Sequence, residues 1–153
     1  MRLLYFAYGS NMAEEVMDRL CPGHRFLGAA ELLGHRLAFT RRSIRTASGV
    51  ADIVRADGQS VWGALYELDA TQLAPIDEKE GNGCAYERRR IQVRLACDER
   101  ELEAHAYAVI APEDAEIHPS VKYLQGLLDA ARERALPEEY VAELAAHCAP
   151  PAR

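Results

Sequence analysis

The feature that most constrains this chain is an abrupt change of hydrophobic period close to its start. Leu3-Leu4-Tyr5-Phe6-Ala7 is an apolar, aromatic run without helical spacing, and it reads as a buried strand. Met12-Ala13-Glu14-Glu15-Val16-Met17-Asp18-Arg19-Leu20 follows at once, and Val16, Met17 and Leu20 in that order give an amphipathic helix. Between them lies Tyr8-Gly9-Ser10-Asn11, a tight strand-to-helix turn. Gly9 admits backbone conformations closed to other residues and lets a ligand approach the main chain. Asn11 or Ser10 is expected to cap the helix, with Glu14 as the return half of a capping box. The first amides of such a helix lack intrahelical acceptors and carry positive partial charge, so the turn offers a cradle for a carboxylate or an amide. Turns of this kind are common and many bind nothing, so spacing alone leaves the turn's role open.

The second informative stretch is Asp69 to Gly81. Asp69 is a good helix cap and Gly81 a good helix stop. At about 100° per residue, Leu73, Ile76 and Glu80 share one face while Glu78 points away. Of the acids at this helix end, Glu80 is therefore the one aimed inward with the apolar side chains. A carboxylate held there is partly desolvated, which raises its pKa toward the range of a general base. A solvated acidic helix end is the competing reading. Pro75 predicts a bend or a later helix start.

Composition bounds the function classes. At 153 residues, one domain over 1–153 is expected, large enough for a proper core. A net charge of −6 and a pI near 5.4 argue against a broad nucleic-acid footprint. The first residues do not read as a signal peptide, and no apolar run approaches the roughly 20 residues that span a bilayer. Cys21, Cys84, Cys97 and Cys148 are scattered without a framework, which points to a reduced, cytoplasmic protein.

Elsewhere the chain alternates. Cys21-Pro22-Gly23-His24 ends the first helix; two metal ligands there would lack a second pair at usable spacing. Ala30 to Phe39 reads as a strand, and Arg41 to Gly49 as a polar, basic loop, solvated or attracting an anionic substrate. Gly49–Val54 and Ser60–Leu68 read as two strands, with Asp57-Gly58 as a hairpin turn between them. Trp62, the single tryptophan, belongs to the core or the barrel wall. Gly81-Asn82-Gly83 reads as a flexible loop, and Tyr86–Leu95 and Glu101–Ile110 as strands. Arg88, Arg89 and Arg90 point alternately to opposite faces and form no continuous patch. Ser120 caps a helix whose stripe is Val121, Leu124, Leu127, Leu128 and Ala131. A last helix follows Pro137 with Tyr140, Val141, Leu144 and Ala145 inward.

Tyr5-Phe6-Ala7-Tyr8-Gly9-Ser10-Asn11 resembles the opening signature of the γ-glutamylcyclotransferase (AIG2-like) family. Ala51-Asp52-Ile53-Val54 followed by Ser60-Val61-Trp62-Gly63-Ala64-Leu65-Tyr66 is similar to the family's central hairpin. Ile76-Asp77-Glu78-Lys79-Glu80-Gly81 is similar to its Leu-Asp-Glu-x-Glu-Gly segment, whose second glutamate is the catalytic acid/base; that position is Glu80. Tyr86 matches the aromatic position after the loop, and Tyr123, in Pro119-Ser120-x-x-Tyr123, the tyrosine near the substrate. Leu136-Pro137-Glu138-Glu139-Tyr140 matches the closing helix. The resemblance spans almost the whole chain in the family's order, and departs at Pro75 and in the short Gly81–Ala85 loop. It implies an α+β fold, a small mixed β-barrel-like sheet with helices around it. It also implies a substrate site formed by Tyr5, Phe6, Ala7, Tyr8, Gly9, Ser10, Asn11, Tyr86 and Tyr123. Glutathione-specific relatives differ at the position of Asn11, so that branch is not favoured.

The implied chemistry is cyclisation of a γ-glutamyl amide to 5-oxoproline with release of an amine, with no metal or cofactor and with a small-molecule γ-glutamyl substrate as partner. The reaction needs the substrate's own α-amine brought to its γ-carbonyl, and a group that takes and returns a proton. Glu80 is expected to do both. Two other classes compete. One is a non-catalytic module that keeps the Tyr8–Asn11 turn for a small ligand; the other is a cysteine hydrolase using Cys84. Neither nucleic acid nor membrane is expected as a partner, and the oligomeric state stays open, a homodimer included.

Overall fold

The structure is a computed structural model that describes residues 1–45 and 47–147, so Thr46 of the basic loop and Cys148 lie outside the described residues. The period-2 stretches become five strands: β1 (Arg2–Ala7), β2 (Arg25–Arg42), β3 (Gly49–Asp69), β4 (Tyr86–Leu95) and β5 (Glu101–Val109). The period-3.6 stretches become four helices: α1 (Glu14–Leu20), α2 (Leu73–Glu80), α3 (Val121–Glu133) and α4 (Glu138–Ala146). The strands close into a barrel in the order β1-β3-β2-β4-β5, with β1 returning to β5 through a parallel pairing at Tyr5 and His105. Closure removes the exposed sheet edges that an open sheet would leave. The helices pack outside, as the α+β reading expects.

The barrel is built on β2 and β3, and here one expectation fails. Asp57-Gly58 is no hairpin turn. A hairpin would pair its own flanks; instead both flanks pair with β2, from Arg25 opposite Glu67 to Arg42 opposite Gly49. Between Leu33↔Ser60 and His35↔Arg55, Ala56–Gln59 bulge opposite Gly34. Gly34 and Gly58 have φ of +73° and +80°, conformations that side chains with a Cβ resist. The hairpin connection is the basic loop after Arg42, and Arg41 and Arg42 belong to β2 rather than to that loop.

The core is continuous from barrel to helices. Phe6, Tyr66, Leu65, Ile76, Leu124 and Leu127 are among its almost fully buried members. Each such side chain contributes about 1.5–3 kcal/mol by leaving water. Ser120 caps α3, its hydroxyl accepting from the Tyr123 amide at 3.1 Å. Val121 leaves the expected stripe: although it shares the face of Leu124 and Leu128, it is 70% exposed as the first residue of α3. Among the described residues no helix is long and apolar enough to cross a membrane.

Candidate active site

The Tyr8–Asn11 turn is held from below by long-range contacts. Ser10–Met12 form a single 3₁₀ turn before α1. The Met12 carbonyl accepts from the Tyr66 hydroxyl at 2.7 Å and from Arg134 Nε at 3.0 Å. Arg134 is itself buried, with its guanidinium 4.2 Å from the Phe26 ring centroid. Neither Ser10 nor Asn11 caps α1. The Glu133 carboxylate from α3 accepts from the Glu14 amide at 2.8 Å instead. Asn11 is unavailable for capping because its side chain is committed elsewhere. Gly9 has φ −115° and ψ −141°, outside the left-handed region. Its value is space. A Cβ there would sit 3.8 Å from both Ala51 Cβ and the Tyr123 hydroxyl, inside the cavity.

Helix α2 presents Glu80 from the opposite side. Asp69 and Gln72 form a reciprocal capping box, Asp69 accepting from the Thr71 amide at 3.1 Å and Gln72 from the Asp69 amide at 3.0 Å. A 3₁₀ turn follows, so α2 begins at Leu73 and Pro75 falls in its first turn, where a missing amide costs nothing. Gly81 ends the helix with φ +63°. Leu73 and Ile76 are buried and Glu78 exposed, as the helical phase requires. Asp77 is fastened to the barrel: it accepts from the Tyr107 hydroxyl at 2.5 Å and pairs with Arg88 at 2.8 Å. The loop after α2 is tied down as well, Asn82 Oδ1 accepting from the Arg88 amide at 2.9 Å.

Turn and helix meet at Asn11. Its Nδ2 donates to Glu80 Oε1 at 2.9 Å and to the Tyr5 hydroxyl at 2.8 Å. On the other side of the amide, Lys79 Nζ donates to Asn11 Oδ1 and, at 3.3 Å, to Ser10 Oγ. An ammonium has no acceptor capacity, so Lys79 fixes which way the Asn11 amide faces. Burial pushes the Glu80 carboxyl up from its ordinary range, against the opposing pull of Lys79 and of the Asn11 hydrogen bond.

The cavity at this junction measures about 350 Å³ including its open mouth, and is lined by Tyr5, Phe6, Tyr8, Gly9, Ser10, Asn11, Glu80, Tyr86 and Tyr123 together with Ala51 and Tyr107. Of the expected substrate residues only Ala7 stands apart; it is buried in the β1–β3 ladder opposite Ala64. Ala51 is a strut for two tyrosines. Its carbonyl accepts from Tyr86 at 2.7 Å and its amide donates to the Tyr123 hydroxyl at 3.1 Å. The neighbouring buried Asp52 anchors that strut, accepting from Thr40 at 2.8 Å and the Val109 amide at 2.9 Å. Burial pushes Tyr123 up to about 12, and Tyr5, Tyr8, Tyr86 and Tyr107 also well above the ordinary phenol range. Every phenol here keeps its proton at neutral pH. The cavity thus offers neutral donors around one half-buried carboxylate. Tyr107 was not expected here; its signal is the loss of alternation over Ala106–Val109, where successive residues are all buried.

Cys84 is exposed and lies outside this cavity. Among the described residues no group of three His, Cys, Asp or Glu side chains is placed to hold a metal ion.

The model of the AIG2-like family matches residues 60–144 of this sequence. The chain is 32% identical over 150 residues to the human protein named γ-glutamylcyclotransferase, an alignment that covers 94% of this chain and 77% of the relative. The mouse protein of that name is 31% identical with the same coverage. A solved structure described as γ-glutamyl cyclotransferase superposes with a TM-score of 0.88 at 28% identity, covering 95% of this chain and 88% of the other.

Proposed function

The chain belongs to the AIG2-like, γ-glutamylcyclotransferase family, and we propose that it cyclises a γ-glutamyl amide to 5-oxoproline with Glu80 as general acid/base. The observation that carries this reading is the Glu80 carboxylate, desolvated in the cavity and held 2.9 Å from Asn11 on the turn.

The substrate enters with its γ-glutamyl half folded so that the α-amine faces its own γ-carbonyl, an orientation that makes the attack intramolecular. Glu80 takes a proton from the ammonium and the freed nitrogen attacks the γ-carbon. The carbonyl π pair moves to oxygen. The amides at the Gly9–Asn11 turn and the protonated phenols nearby are the available donors for that oxyanion. When the carbonyl re-forms, the bond to the departing nitrogen breaks and Glu80 returns its proton there. The second proton, shed by the ring nitrogen as it becomes the lactam amide, passes by the same carboxylate to the amine, which leaves as an ammonium. One C–N bond forms and one breaks, and neither water nor a second substrate is consumed. A raised carboxyl pKa suits both halves, since the same group must accept and then donate near neutrality. The released group is an amino acid or another amine. The test is mass-spectrometric detection of 5-oxoproline from a panel of γ-glutamyl amino acids, γ-glutamyl amines and glutathione.

A further inference from the structure

Beside the cavity lies a second, wider groove that the reaction as written does not use. It shares Ser10 and Tyr123 with the cavity and runs away from Glu80 between α1, α3 and the start of β3. Ala13, Val16, Val50 and Leu127 supply apolar lining, and Gly126 opens it further, since a Cβ there would meet nothing within 4 Å. Arg45 and Lys122 are the charged side chains of the lining, which contains no acid although the chain carries a net charge of −6. Among the described residues neither cation forms an ion pair. Ile44 and Val121, 92% and 70% exposed, follow the lining residues Ser43 and Ser120. Large apolar side chains are thus left in water beside the groove.

We propose that this groove is the leaving-group subsite, and that it selects γ-glutamyl amides whose departing half is an α-amino acid with a bulky apolar side chain and a free carboxylate. The inference rests on the cyclisation described above. Glu80 must reach the α-amine, so the γ-glutamyl half occupies the closed cavity and the departing amine faces its mouth. At that mouth Ser10 and Tyr123 hand over to the groove. Apolar lining takes the side chain by removing it from water. Two unpaired cations and no acid make the groove complementary to a carboxylate and unfavourable to a departing polyamine.

The experiment compares kcat/KM, read as 5-oxoproline formed, for γ-Glu-Leu, γ-Glu-Gly and γ-glutamyl-isopentylamide, the last being the leucine substrate without its carboxylate. Wild type should prefer γ-Glu-Leu over each of the other two by about tenfold, the scale a few methylenes or one charge-assisted contact supply in a pocket. Gly126→Leu fills the groove while improving helix propensity, and should bring the γ-Glu-Leu to γ-Glu-Gly ratio toward one. Lys122→Gln, an exposed change, should lower the γ-Glu-Leu to isopentylamide ratio. Three substrates turned over alike, or ratios that neither variant moves, overturn the subsite while leaving the cyclisation intact. A groove that instead proves to join two copies, with Gly126→Leu changing the oligomeric state and not the ratios, overturns it too. No 5-oxoproline from any of the three removes the reaction and the subsite together.

Discussion

Asn11 Nδ2 lies 2.9 Å from Glu80 Oε1, a hydrogen bond that joins the N-terminal turn to the end of a helix 69 residues further along the chain. The contact has a direct electrostatic consequence. A donor on the ionised carboxylate lowers its pKa, and so partly offsets the burial that raises it. Asn11→Ala should therefore move the acid limb of the kcat/KM profile upward, since the ionised carboxylate loses a hydrogen-bond donor. It should also lower the plateau by about tenfold or more, because Glu80 loses a positioning partner. A pH–rate profile measures both.

Glu80 also makes stability depend on pH. Its folded pKa lies above the ordinary 4.5, so between those two values the native state binds more protons than the unfolded one. The sign follows: the contribution of Glu80 to native stability is greatest below 4.5 and falls as pH rises through that window. Glu80→Gln cannot titrate and escapes the penalty. Its Tm should match that of wild type near pH 4 and exceed it near pH 8, as thermal melts across the range will show. A gap that stays constant with pH contradicts a desolvated carboxylate.

The barrel under the site leaves no room at Gly63. A Cβ at this position would lie 2.4 Å from the Ala7 carbonyl and 2.9 Å from the Phe6 ring. Gly63→Ala must therefore push β1 off β3 where β1 leads into the turn. Overpacking of this kind costs about 1–3 kcal/mol, which lowers Tm by roughly 2–12 °C in a chain of this size. Differential scanning calorimetry measures the drop.

The exposed thiol separates the acid/base mechanism from a cysteine hydrolase. Cys84 lies outside the cavity, so Cys84→Ser should retain kcat/KM within about twofold, the range of an exposed substitution away from the site. Loss of turnover in that variant would return the nucleophile to the thiol.

What the sequence made legible is what local chemistry decides. The period change at Ala7 places β1 and the turn, and the helical phase from Leu73 through Ile76 separates Glu80 from Glu78. Pro75 is disruptive only for a helix that starts at Asp69; the intervening 3₁₀ turn moves that start to Leu73. Asp57-Gly58 misled because its dipeptide chemistry suits a hairpin turn and a bulge equally, and pairing partners decide between them. The side-chain fate of Asn11 was hidden for a related reason. A capping residue beside a helix start is a local inference, whereas Tyr5, Glu80 and Lys79 reach it only in the folded chain. Arg134, which holds the Met12 carbonyl from 122 residues away, is the extreme case.

The central claim is that Glu80 carries the proton for cyclisation. Wild type and Glu80→Gln are incubated side by side with γ-Glu-Leu and γ-Glu-Ala, and 5-oxoproline is quantified by mass spectrometry with circular dichroism as the control for folding. Wild type should release 5-oxoproline and free amino acid in equal amounts, while folded Glu80→Gln falls by about 10³-fold or more, the scale of a lost general acid/base. A folded Glu80→Gln that turns over within tenfold of wild type would contradict the mechanism, and two proteins that both bind the dipeptides without making product would leave a binding module in its place.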